Sequence, residues 1–113
     1  MEGLLNKFNR WNHETSITAL RLNNRHCYWV QAAQECRALA PSTIRVKEGH
    51  WSVKEATRFM LVDRLKETVS VALPKVDASL ARDLTRAALE RIHWHDIADH
   101  YLAELSQEEM PSP

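Results

Sequence analysis

The stretch that decides the fold is Trp94-His-Asp-Ile-Ala-Asp-His-Tyr-Leu-Ala-Glu-Leu105. Its apolar residues recur at the spacing i, i+3, i+4, i+7, i+8 and i+11, which is typical of a helix with one buried face. They are Trp94, Ile97, Ala98, Tyr101, Leu102 and Leu105. The opposite face carries acids and histidines. We therefore expect a closing helix that packs on a core with one side and meets solvent with the other.

Upstream segments show the same periodicity between helix stop signals. Asn12 or Thr15 is expected to cap a helix to about Leu22, and Asn23-Asn24 to end it. A second helix is predicted from Arg25 to Leu39, before Pro41. Residues 41–50 are predicted to be a loop, with a short extended stretch at Ile44 and Val46. Residues 1–11, with Leu4, Leu5, Phe8 and Trp11, predict a further short amphipathic helix.

Two more helices complete the prediction. Ser52-Val-Lys-Glu55 is a capping box that opens a helix to about Val69, and its wide apolar surface predicts the most buried helix of the chain. A linker with Pro74 is expected at residues 71–76. The next helix begins after Asp77 or Ser79, and its predicted core stripe is Leu80, Leu84, Ala87, Ala88 and Ile92.

The composition agrees with a helical protein. The chain has 113 residues, 44% hydrophobic and 27% charged, with only two glycines and four prolines. Turn-rich β architectures need more of both turn residues. We expect an all-α fold, a compact bundle of about five helices, with one domain at residues 1–106 and a flexible tail at residues 107–113.

The two cysteines indicate a reducing environment. Cys27 and Cys36 lie in one predicted helix and are about 13 Å apart along its axis, which is too far for a disulfide. We expect buried or semi-buried free thiols. No secretory signal or membrane-spanning stretch is apparent, so the sequence predicts a cytoplasmic protein.

The charge distribution suggests where a partner binds. The formal net charge is zero, which argues against a strongly acidic DNA mimic and against a general nucleic-acid binder. From Ile92 onward, however, there are five acids and no lysine or arginine. This segment is either a solvated acidic face or a docking surface. The predicted partner-binding residues are His95, Asp96, Asp99, His100 and Glu104.

The histidines near residue 95 raise the hypothesis that this segment binds a metal ion. His95 with Asp99, and Asp96 with His100, are four residues apart on a helix, and such pairs contribute to zinc sites. The zinc-protease motif is absent, and a solvated polar face also explains these residues. A nucleophile–base pair of Cys27 or Cys36 with a histidine is a further alternative. Since no phosphate loop or catalytic motif is present, we expect no enzyme activity, no metal and no cofactor.

A helix-turn-helix arrangement is the alternative that involves DNA. The helices at 78–91 and 94–105 are joined tightly, as such motifs require. The second helix is acidic and would repel phosphate, so nucleic acid is not the expected partner. A DNA-associated regulator would instead use an arginine-rich patch. Its candidate residues are Arg82, Arg86, Arg91, Arg58, Arg64 and Lys66.

Two segments resemble a family of small uncharacterised proteins carried by phages and plasmids. The first contains Asn12-His-Glu-Thr15, Ala19-Leu20 and Tyr28, and the family begins with an Asn-x-Glu-Thr-Trp pattern. The second runs from Leu84 to Leu102 and includes a Trp-x-x-Ile-Ala pattern. The chain has Ser16 where the family has tryptophan. The resemblance implies an origin in a mobile element and no particular activity.

These observations lead to one functional hypothesis. We expect a non-enzymatic protein–protein interaction domain that inhibits a host defence system, such as CRISPR or restriction, by steric blockade. The partner is expected to be a host protein, such as a defence component that binds nucleic acid, and no membrane is involved. In this hypothesis the acidic face at Asp96, Asp99 and Glu104 mimics phosphates.

Overall fold

The five helices predicted between residues 12 and 105 are present in the computed structural model, which describes residues 11–73 and 79–109. Two 3₁₀ turns, Asn23–Arg25 and Ala40–Ser42, lie on either side of the second helix, and the described ranges contain no strand. The all-α prediction is therefore confirmed. The helices are α1 His13–Leu22, α2 His26–Leu39, α3 Ile44–Lys47, α4 Val53–Ala72, α5 Ser79–Glu90 and α6 Trp94–Glu109.

Local capping explains where the helices start. The Asn12 side chain accepts a hydrogen bond of 2.8 Å from the main-chain amide of Thr15 and so caps α1. At α4 the Ser52 hydroxyl accepts from the amide of Glu55, and the Glu55 carboxylate accepts from the amide of Ser52. Each cap satisfies amides that have no partner inside the helix. Both predicted helix starts are confirmed.

The core lies where α2, α4 and α6 pack against one another. Trp29 of α2, Leu61 of α4 and Tyr101 of α6 are among its largest fully buried side chains. Each such side chain contributes about 2 kcal/mol through the hydrophobic effect. The stripe predicted for the closing helix is confirmed, because four of its residues are buried and the other two pack against the core. The buried four are Ile97, Ala98, Tyr101 and Leu105, and the others are Trp94 and Leu102.

The burial predicted for α4 is only partly correct. The consecutive apolar residues from Phe59 to Val62 point in different directions around the helix. Leu61 and Val62 are buried, whereas Phe59 and Met60 are only half-buried. One side of α4 therefore remains accessible, because no element of the described chain covers it completely.

The loop predicted for residues 41–50 contains α3 instead of an extended stretch. Ile44, which was expected to alternate with Val46 in a strand-like segment, is 70% exposed. In the described ranges no strand lies beside this segment to form hydrogen bonds with its backbone. The segment therefore forms its hydrogen bonds within a helical turn. The turn ends where Gly49, with φ of 80°, donates to the carbonyl of Val46.

The helix boundaries differ from prediction at the C-terminal ends of α4 and α6. α4 continues to Ala72, which shortens the predicted linker, and residues 74–78 lie outside the described ranges. α6 continues to Glu109, into the predicted tail, because glutamine and glutamate are good helix formers and Pro111 follows only later. The helix predicted at residues 1–11 lies almost entirely outside the described residues.

The cysteines are both free, as predicted, but their environments differ. Cys36 is fully buried, whereas Cys27 is exposed. Burial raises the pKa of the Cys36 thiol, which disfavours the reactive thiolate. In the described part of the chain, no helix has the length and apolar character needed to cross a membrane.

Candidate functional site

α6 divides the five predicted partner-binding residues between two environments. His95 and Asp99 lie on the side of α6 that meets α4, and Asp96 lies near the start of α6 beside His93. His100 and Glu104 instead face the interior and α2. His100 is only 7% exposed, so the prediction of a solvated polar face is wrong at this residue. The buried face of α6 is wider than its apolar stripe, because the polar side chains of His100 and Glu104 lie along the edge of that face.

Glu104 links α6 to α2 through His26, and it also lies beside His100 of its own helix. Its carboxylate is hydrogen-bonded to Nε2 of His26 on α2 and lies 3.5 Å from Nε2 of His100. The ring of Trp11 meets His100 edge-on, with centroids 6.5 Å apart. Burial, assisted by the Glu104 charge, raises the pKa of the neighbouring Tyr101 well above its usual value. This cluster therefore holds the bundle together.

The carboxylates predicted to mimic phosphates are already engaged within the molecule. Arg58 of α4 donates a hydrogen bond of 2.9 Å to the carboxylate of Asp99. Asp96 lies 3.5 Å from the ring of His93, and Glu104 contacts His26. A partner would have to compete with these contacts, which weakens the case for phosphate mimicry.

The arginine-rich patch is similarly reduced by ion pairs. Arg64 lies 2.8 Å from a carboxylate oxygen of Glu35, and Arg91 lies 3.2 Å from one of Glu14. Arg58, as described, is paired with an aspartate. Half of the six candidate residues for DNA binding thus have a carboxylate partner. These pairs are too exposed to contribute much stability, but they lower the local positive charge.

An aromatic cluster lies at the accessible side of α4, and we name Arg45, Trp51, Phe59 and His95 the aromatic surface. The rings of Trp51 and Phe59 have centroids 4.7 Å apart. The ring of His95 meets Phe59 edge-on at 5.7 Å, and the guanidinium of Arg45 lies 5.4 Å from the Trp51 centroid. All three rings are partly exposed. The surface thus combines rigid rings with one arginine.

Sequence reasoning missed most of this surface. His95 was predicted as a site residue, but Phe59 was assigned to the core and Arg45 to a loop. The signal available in the sequence was the four-residue apolar run from Phe59, which is too broad for one buried face. Trp51, which precedes the capping box, packs its ring against Phe59 two turns into α4.

The Asn-x-Glu-Thr motif attaches the start of α1 to the turn that joins α5 to α6. The Asn12 side chain donates a hydrogen bond of 2.7 Å to the carbonyl of Arg91, and Glu14 pairs with the Arg91 side chain. The hydroxyl of Thr15, which is fully buried, accepts a hydrogen bond of 2.9 Å from the amide of His93. All three named motif residues thus contact residues 91–93, so they position helices.

α5 presents its predicted core stripe to solvent. Leu80 is 71% and Leu84 is 62% exposed, and Ala87 and Ala88 are exposed as well. Only Ile92, just after the helix, is buried as predicted. The stripe was assigned to the core because its periodicity is strong, but periodicity does not say which element covers an apolar face.

A groove of about 520 Å³ opens between α2 and α4. The Arg25 guanidinium stacks 4.5 Å from the ring centroid of Tyr28, and Arg64 lies across from them. The groove lining contains neither histidine nor cysteine, so the considered cysteine–histidine pair is not part of it. Among the described residues, no group of three or more histidine, cysteine or acidic side chains is arranged to hold a metal ion.

No protein-family model, curated protein or solved structure matches this chain.

Proposed function

We propose that the chain is a non-enzymatic protein–protein interaction domain of a mobile genetic element that blocks a host defence protein sterically. The observation that carries this proposal is the aromatic surface. Tryptophan and arginine are enriched among the residues that dominate binding energy at protein interfaces. The resemblance to phage and plasmid proteins supports the choice of a CRISPR or restriction component as the target.

The aromatic surface is suited to binding because its rings are already fixed. Trp51 packs against Phe59, and Phe59 packs against His95, so little side-chain entropy is lost when a partner covers them. Each ring is wide enough to bury a large apolar area. A partner of matching shape would find a preorganised apolar centre.

Polar groups border this centre. Asp99 lies one helical turn after His95 and forms an ion pair with Arg58, which gives the surface a polar edge. Of the five predicted residues, His95 and Asp99 belong to this interface in our proposal, and Asp96 lies further around α6. His100 and Glu104 act indirectly, since Glu104 pairs with His26 of α2 and His100 is buried beside Glu104.

The proposal is tested by capture and by a functional assay in parallel. Wild-type chain and the variants Trp51→Ala and Phe59→Ala serve as baits in a host lysate, and Tyr28→Ala is the matched control, because Tyr28 is an exposed aromatic outside the surface. We expect both surface variants to lose the partner by at least about tenfold, as hot-spot truncation does, and the control to retain it.

In the parallel assay, cells with an active restriction or CRISPR system are challenged with a targeted phage. Expression of the wild-type chain should raise phage plating, and the two surface variants should not. Unchanged plating in both systems would reject the inhibitor proposal. A salt-dependent shift of duplex DNA by the purified chain, retained in the surface variants, would favour the DNA-associated regulator instead.

A further inference from the structure

The exposed stripe on α5 requires a partner of its own. Leu80 and Leu84 are one helical turn apart, and Ala87 and Ala88 continue the same side toward the end of α5. Leu89, on a different side of the helix, packs against the core. The helix is thus anchored near its C-terminal end, and the stripe is a second apolar face that the described residues leave open.

The path of the chain shows what lies next to this face. Arg91 lies in the turn that directly follows α5, at the C-terminal end of the stripe. The carbonyl of Arg91 accepts the hydrogen bond from Asn12, and its side chain meets Glu14. Asn12 and Glu14 therefore lie beside the turn at the C-terminal end of α5, and residues 1–10 precede them in the chain.

We propose that the stripe is the docking surface of the chain's own N-terminal segment, residues 1–10. That segment contains Leu4, Leu5 and Phe8 at the spacing of an amphipathic helix. The distance from Arg91 back to Leu80 is about 16 Å along the axis. Ten residues span about 15 Å as a helix and about 33 Å when extended, so the segment reaches the whole stripe.

The charges favour this occupant over a second copy of the chain. Asp83 and Glu90 lie along one edge of the stripe, at positions seven residues apart. The N-terminal segment supplies Lys7 and Arg10, which are complementary to these acids. In a two-fold dimer with antiparallel α5 helices the same edge would meet its own copy, and acids would face acids.

The test uses the full-length chain in solution. Nuclear Overhauser contacts between the Phe8 ring and the Leu84 methyl groups are measured at a concentration where sedimentation gives the monomer mass. We expect these contacts to be present. Amide exchange of residues 2–10 is then compared between the wild type, Leu84→Gln and the control Arg82→Gln, which lies on the opposite side of α5.

Leu84→Gln should accelerate exchange in the N-terminal segment about tenfold, because it removes half of the leucine pair's apolar contact, and Arg82→Gln should leave it unchanged. Since most of the Leu84 side chain is not covered by any described residue, we expect this variant to keep the bundle intact. Absence of the Phe8 contacts together with unprotected amides would overturn the proposal. A concentration-dependent dimer that protects α5 but not residues 2–10 would overturn it as well.

Discussion

The side-chain amide of Asn12 donates a hydrogen bond of 2.7 Å to the carbonyl of Arg91, although 79 positions separate the two residues in the chain. The carbonyl oxygen of the same side chain caps α1 by accepting from the amide of Thr15. One residue therefore starts the first helix and attaches it to the turn between α5 and α6. This double role makes Asn12 a point where local and long-range structure can be separated experimentally.

Replacement of Asn12 should separate its two hydrogen bonds. Asn12→Ser keeps a capping oxygen but lacks the amide donor, so we expect a loss of about 1 kcal/mol in the free energy of unfolding. Asn12→Ala removes both functions and should cost about 2 kcal/mol. Urea denaturation followed by tryptophan fluorescence measures both values. A wild-type stability of Asn12→Ser would show that the Arg91 contact contributes nothing, and equal losses in the two variants would show that the cap adds nothing beyond that contact.

The buried hydroxyl of Thr15 should matter more than its methyl group. Thr15→Val preserves the shape but leaves the amide of His93 without its acceptor, which should cost about 1 to 3 kcal/mol. Thr15→Ser keeps the acceptor and removes one methyl group, which should cost about 1 kcal/mol. If the serine variant proved the less stable of the two in urea denaturation, packing would outweigh the hydrogen bond.

The raised pKa of Tyr101 predicts how the free energy of unfolding changes at alkaline pH. Burial, and next the Glu104 charge, raise the pKa of Tyr101 in the folded chain above its ordinary value of 10.0. The stability from this neutral phenol is complete below about pH 10 and is lost as pH rises beyond it, at about 1.4 kcal/mol per pH unit. Tyr101→Phe should reduce this loss. Parallel stability curves of wild type and variant between pH 9 and 11.5 would contradict the prediction.

The two cysteines should differ sharply in thiol reactivity. Cys27 is exposed, whereas Cys36 is buried with a raised thiol pKa. With a thiol-specific reagent at pH 8, we expect one thiol to react in the native chain and two in denaturant. Cys27→Ser should abolish the native reaction, and Cys36→Ser should leave it intact. Rapid labelling of both thiols in the native wild type would contradict the burial of Cys36.

A substitution at Ile97 tests how much the buried face of α6 contributes to the stability of the core. Ile97→Ala removes a fully buried side chain and should cost about 2 to 5 kcal/mol of unfolding free energy. Leu20→Ala is the control, because Leu20 is half exposed on α1 and its truncation should cost less than about 1 kcal/mol. Thermal and urea denaturation measure both. Similar losses at the two positions would mean that α6 does not anchor the core.

Much of the fold was predictable because its signals are local. The capping box at Ser52 and Glu55 and the apolar spacing from Trp94 to Leu105 each depend on residues within a few helical turns. The candidate site was less predictable. His95 was identified from the sequence, but its neighbour Phe59 lies 36 positions earlier, and no local pattern brings the two rings together.

The sequence by itself determined that the chain is helical, where most helices begin, and that the closing helix has one core face. Only the tertiary structure decided that His100 is buried, that Asp99 is paired with Arg58, and that the α5 stripe faces outward. The physical reason is that helix formation depends on hydrogen bonds and side chains within a few residues. The exposure of a side chain depends on which distant element packs over it.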